Sequence, residues 1–179
     1  MRSRDSSSRP GIALNVAVGQ LNNTLRLPFY LDSIGTVLVG LLAGPWAGAL
    51  TGFIANVVWT LTGLYPPAFA FALVAAAIGA LAGLFGEAGW MRVWWKVILA
   101  GILTGALAAV VSAPIAAYVF EGSMGTTTDL IVGMFRSMGW DMLAANFAQG
   151  AVSDPVDKVV TYLIVWGLLL ALPKRFLAL

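Results

Sequence analysis

The chain contains no cysteine and no histidine. Without cysteine there is no disulfide framework and no thiolate chemistry. Without histidine the commonest metal ligand and the commonest general base near neutral pH are missing. Charge is scarce too. Only 10% of the residues are Asp, Glu, Lys or Arg, against about 25% in soluble domains. The 10 basic and 8 acidic residues leave a net charge of +2, too small an excess for a nucleic-acid surface. There is no phosphate-cradling glycine loop and no cluster with metal-ligand spacing. These absences argue against an enzyme and against a resident cofactor or metal. Any ATP hydrolysis linked to the chain has to come from partners.

What is abundant is apolar surface: 60% of the residues are hydrophobic. A chain of 179 residues has no water-soluble way to hide that much, so an integral membrane protein is the direct expectation. Six apolar segments stand out, at 11–25, 30–42, 45–64, 68–86, 95–120 and 155–172. Turn chemistry separates them: Leu27-Pro28, Gly44-Pro45, and the run from Gly63 to Pro67. The charged stretch from Glu87 to Lys96 and the long connection from Glu121 to Asp154 complete the breaks. The expected fold is an all-α compact bundle of about six transmembrane helices, one membrane domain over 11–179 behind a polar tail at 1–10. Small residues four apart, as at Gly44, Gly48 and Gly52 and at Gly79 and Gly83, let helix backbones approach closely. The first two segments are short. At 1.5 Å per residue, about 14 residues reach only roughly 21 Å of a ~30 Å hydrocarbon core.

Six spans put both termini on one side. Arg2, Arg4, Arg9, Arg92, Lys96, Lys174 and Arg175 then share that side, and Arg26, Arg136 and Lys158 fall on the other. The positive-inside rule makes the termini cytoplasmic. Trp90, Trp94 and Trp95 beside Arg92 and Lys96 read as an interfacial anchor.

The polar residues within the apolar segments gather at the outer ends. A charge in hydrocarbon costs about 2.5–3.5 kcal/mol on insertion scales, so such a cluster needs a reason. Asp32, Asn56, Asp157 and Lys158 supply polar groups, and Trp59, Tyr65 and Trp140 an aromatic wall. Together they suit a small polar ligand with a flat ring. Each also has a plain structural use. Asp154 and Lys158, four apart, can pair on one helix. Asp32 can cap the second helix. Asn56 can bond between helices. The glycine-containing connection from Glu121 to Asp154 has the makings of a lid. Polar lining through the full depth, which a pore needs, is lacking.

Several stretches carry a resemblance: Leu27 to Thr36 (LPFYLDSIGT), Gly44 to Gly52 (GPWAGALTG) with Asn56, Ser153 to Lys158 (SDPVDK), and the closing Leu172 to Arg175 (LPKR). In these, and in its size and segment count, the chain resembles the S-component of energy-coupling factor (ECF) vitamin transporters. The resemblance implies a multi-pass subunit of a prokaryotic cell membrane that captures a vitamin or related micronutrient from outside. It implies partners as well, a membrane coupling subunit and two ATPase subunits. Ala13 and Ala17 match the small-residue spacing with which such subunits dock on the first helix, with Asn15 the departure from an apolar face. A membrane sensor or accessory protein, or a self-sufficient small-solute carrier, is the alternative. A sensor would be expected to carry an output domain, and none follows the last apolar segment.

Overall fold

The computed structural model describes residues 5–25 and 30–171, with side chains described at 9–19 and 30–171. Arg2, Arg4, the Leu27-Pro28 break, Arg26 and the run from Leu172 to Arg175 lie outside the described residues, as do the side chains of Asn22 and Asn23. Among the described residues every regular element is helical. They are α1 (Asp5–Leu25), α2 (Ile34–Ala43), α3 (Pro45–Leu61), α4 (Ala72–Glu87), α5 (Trp94–Val119), α6 (Asp129–Ser137) and α7 (Met142–Ala171), with 3₁₀ turns at Pro66–Phe71 and Trp90–Arg92. Two helical stretches are long and apolar enough to cross a membrane: Pro66–Glu87, where the first 3₁₀ turn runs into α4, and α5.

The turns follow the sequence signals. Gly44 ends α2 at φ +91° and Pro45 takes the first turn of α3. A left-handed residue with no Cβ, followed by a residue with no N–H to satisfy, joins two helices in a single step. Small residues then let α3 lie flush on α4. A Cβ on Gly79 would sit 2.1 Å from the Gly48 carbonyl oxygen, and one on Gly48 2.3 Å from that of Gly79. The α5–α7 contact is equally close: a Cβ on Gly105 would come within 2.4 Å of the Pro155 Cα.

Helices α1 to α4 pack among themselves, and α5 packs on α7. The two groups meet where α4 touches α5 and α2 touches α7. The buried core lies along this seam and includes Ile34, Val37, Leu41, Val74, Ile78, Tyr162 and Val165.

Three helix starts differ from the sequence expectation. Helix α1 starts at Asp5 and passes through Pro10, so it is about 31 Å long at 1.5 Å per residue. Helix α2 starts only at Ile34, because Tyr30 to Ser33 form a turn tied to α7. Helix α7 does not begin at Pro155 but runs through it from Met142. A proline in a helix interior loses one hydrogen bond and crowds the preceding turn, and the bare Gly105 on α5 gives that ring its space. The long connection is therefore largely helix. Helix α6 and the first three turns of α7 leave only short irregular stretches at 120–128 and 138–141.

Candidate functional site

At the seam lies a cavity of about 150 Å³. Its lining comes from the second half of α1, the start of α2, the last turns of α3, the start of the α4 stretch, the later part of α5 and the first half of α7. With the chain running up and down, those parts share one end of the bundle. The opposite end carries the Gly44 turn and the 88–93 connection.

The N-terminal half supplies one aromatic wall. Trp59, on the last turns of α3, is 5% exposed and lines the cavity. Its ring rests on α1 at Gly19, where a Cβ would meet the Trp59 Cζ2 at 2.5 Å. Glycine at 19 thus lets the indole sit where it does. Asn56, one turn earlier, also lines the cavity, but its Nδ2 donates to the Ala68 carbonyl at 2.9 Å. That bond fixes the 3₁₀ turn after Tyr65. The Tyr65 hydroxyl donates to the Met124 carbonyl at 3.2 Å. Burial pushes the Tyr65 phenol up to about 12, with the Asp129 carboxylate adding to the effect, so it stays a donor at neutral pH.

The irregular stretch 120–128 closes over this end. Asp129 accepts from the backbone N–H groups of Met124 and Gly125 at 3.0 and 2.9 Å. Thr128 shares a 3.0 Å hydrogen bond with the Tyr30 hydroxyl. The stretch is thus held to the first half of the chain by Tyr30 and Tyr65, and it brings Met124 and Thr126 to the cavity.

The charged groups cluster where α2 meets α7. Asp157 is fully buried. Its Oδ1 accepts from the backbone N–H groups of Tyr30 and Leu31 at 3.0 and 2.8 Å. Its Oδ2 pairs with the Lys158 ammonium. Lys158 also donates to the Ser33 hydroxyl at 2.8 Å and stands 4.0 Å from Asp32. This pair anchors the turn in which Leu31 adopts φ +48°, a left-handed conformation disfavoured for a residue with a Cβ. Asp32 keeps 47% side-chain exposure and lines the cavity.

The structure brings Asp32, Asn56, Trp59, Tyr65 and Lys158 around one cavity. It separates two of the other expected residues from it. Asp157 does not line the cavity, because both its oxygens are occupied by the Tyr30–Leu31 backbone and by Lys158. Trp140 stands apart as well. It is 43% exposed, its ring packs on Phe135 at 5.0 Å, and its carbonyl accepts from Arg136. The α6 helix and its turn carry it away from the aromatic wall. Lys158 pairs with Asp157 and Asp32, not with Asp154 four residues back. The N-terminal cap position of α2 belongs to Ser33, not Asp32. Ala13 and Ala17 lie exposed on α1, while Asn15 turns the other way into the bundle. There its Oδ1 accepts from Gly35 and Thr36 N–H groups at 2.6 and 3.2 Å, and its Nδ2 donates to the Thr36 hydroxyl.

Several lining residues are not among the site residues expected from the sequence: Asn15, Tyr30, Phe71, Ser112, Asn146 and Gln149. Asn146 and Gln149 precede the apolar run that marked the last segment. A polar residue every three or four positions, at 146, 149, 153, 154 and 157, was the available signal for one helical face. Asn146 is 2% exposed; its Nδ2 donates to the Met142 carbonyl and its Oδ1 has no partner.

No protein-family model, curated protein or solved structure matches this chain.

Proposed function

We propose that the chain is a membrane-embedded, solute-capturing subunit, the S-component of an energy-coupling factor importer. The observation that carries this reading is the partition of the helices. Asp154, Lys158, Asn146 and Gln149 are inside, around a cavity, with Asp157 buried behind them, while Trp46, Leu61, Leu73 and Leu130 are more than 70% exposed. Polar-in and apolar-out is the order that hydrocarbon surroundings demand and water does not.

The lengths support a bilayer as well. At 1.5 Å per residue, α5 and α7 reach about 39 and 45 Å, enough for a ~30 Å hydrocarbon core. Helix α2 reaches only about 15 Å. In a six-span arrangement its short length leaves room at one end, and that is the end where the cavity lies. Arg92 and Lys96 fall at the opposite end, so the positive-inside rule turns the cavity outward. A cavity confined to one end of the bundle suits capture of a solute rather than its uphill transport. The exposed Ala13 and Ala17 offer the smooth helix face on which a membrane coupling subunit, with its two ATPase subunits, would dock.

Two measurements test the proposal. Mass spectrometry of the detergent-extracted protein should find a co-purifying vitamin-like small molecule. Co-expression with a coupling module should yield a complex and ATP-dependent uptake. A protein that neither retains a solute nor assembles with such a module is not an S-component.

A further inference from the structure

The cavity also limits the chemistry of its ligand. Its volume of about 150 Å³ matches a cavity known to accept a single benzene ring. One ring with small substituents fills it. Trp59 and Tyr65 provide aromatic surface for such a ring.

The polar groups divide by whether they are already engaged. The Lys158 ammonium is held by Asp157, Ser33 and Asp32. It is the single cationic side chain lining the cavity among the described residues. Two acceptors receive no hydrogen bond from the described residues. Asp154 is 7% exposed and lines the cavity, within electrostatic reach of Lys158 but with no donor on its oxygens. Asn146, two helical turns earlier on the same side of α7, has a buried carboxamide oxygen with no partner. Three carboxyl groups, of Asp32, Asp154 and Asp157, stand around the one Lys158 ammonium, so the site has a carboxylate to spare for a cationic ligand. Buried acceptors left without donors are costly, and a ligand donor at this position removes that cost.

We propose that the cavity selects a monocyclic ring bearing a positively charged nitrogen, with Asp154 as its counter-ion and the Asn146 carbonyl as a second acceptor. Trp59 stacks on the ring and adds attraction for the charge. Anionic rings are rejected, because no free cation meets them and Asp154 repels them. This inference rests on the solute-capture reading and adds the class of solute.

Three single-ring probes of similar shape test it: benzylammonium, benzyl alcohol and benzoate, titrated calorimetrically into the full chain in detergent. Benzylammonium should bind at least tenfold more tightly than benzoate, with the alcohol between. Asp154→Asn should abolish that preference while the alcohol still binds. Benzoate equal to or tighter than benzylammonium overturns the proposal. So does a preference that survives Asp154→Asn, or failure of all three probes at millimolar concentration. The ranking on the unmodified chain decides the matter even if the variant does not fold. Cation selectivity in a protein that assembles with no coupling module would keep this inference and remove the S-component reading. A coupled protein that prefers benzoate would do the reverse.

Discussion

Replacing Asp157 with Ala is the perturbation whose size the structure fixes best. The side chain is fully buried and receives two backbone N–H groups and the Lys158 ammonium. Removing it leaves a buried ammonium without its nearest counter-ion, since Asp32 is 4.0 Å away. Breaking one side of a buried ion pair costs about 3–5 kcal/mol. In a chain of this size each kcal/mol moves the melting point by roughly 2–4 °C, so the expected drop is about 6–20 °C. Asp157→Asn should fall in between, because an amide oxygen still accepts from Tyr30 and Leu31. Lys158→Met should recover part of the loss when combined with Asp157→Ala, because it removes the stranded charge. Intrinsic tryptophan fluorescence reads the melting directly, with 7 Trp in the chain. A melting point unchanged in Asp157→Ala, together with lost ligand affinity, would refute the reasoning and make Asp157 a ligand group.

Other substitutions probe the remaining contacts. Gly105→Leu should destabilise by about 1–3 kcal/mol or more through overpacking, because its Cβ alone would stand 2.4 Å from Pro155; melting checks it. Tyr65→Phe removes one hydrogen bond to the 120–128 stretch, worth about 1 kcal/mol, and should speed ligand release in stopped-flow measurements. Leu at both Ala13 and Ala17 should abolish pull-down with a coupling subunit and leave ligand affinity unchanged, since both residues are exposed. Cysteine placed at Ser6 in this natively cysteine-free chain should resist an impermeant external reagent, as the positive-inside reading requires.

The helical class and the close-packed faces were legible in the sequence because they depend on local pattern. Glycines at 48 and 79 read as close-approach positions, and they are. The cavity's contents were less legible. Asp157 and Lys158 are adjacent, and two charges in one apolar stretch look like a ligand site. Nothing local says that Asp157 binds a backbone turn more than 120 residues away. Asn15 looked like a flaw in a docking face, but it lies two residues from Ala13 and from Ala17, about 200° around the helix from each. That rotation puts it on the buried side. Trp140 reads as part of the aromatic wall; the amphipathic residues of α6 make its stretch a helix and carry the indole elsewhere. Each miss needed a long-range contact or a helix phase to resolve.

The same burial changes how the aromatic wall has to be tested. Truncating Trp59 to Ala would separate a ligand role from a structural one only if the ring stood free in the empty protein. It does not: Trp59 is 5% exposed and rests on Gly19. Trp→Ala in such a place costs about 3–5 kcal/mol of stability, whatever the ligand does. Asn56→Ala has the same defect, because its amide holds the Ala68 carbonyl. Trp59→Phe keeps most of the packing and reduces the stacking surface, so stability should fall by less than in Trp59→Ala. Gly19→Ala acts from the other side, since its new methyl would meet Cζ2 at 2.5 Å and push the indole. If the ring stacks on a ligand, both variants should weaken binding of the co-purifying solute roughly tenfold, about 1.4 kcal/mol. Calorimetry gives the affinity and melting gives the stability on the same preparations. Affinity per folded molecule unchanged in both variants, with lowered melting points, would leave Trp59 as packing alone.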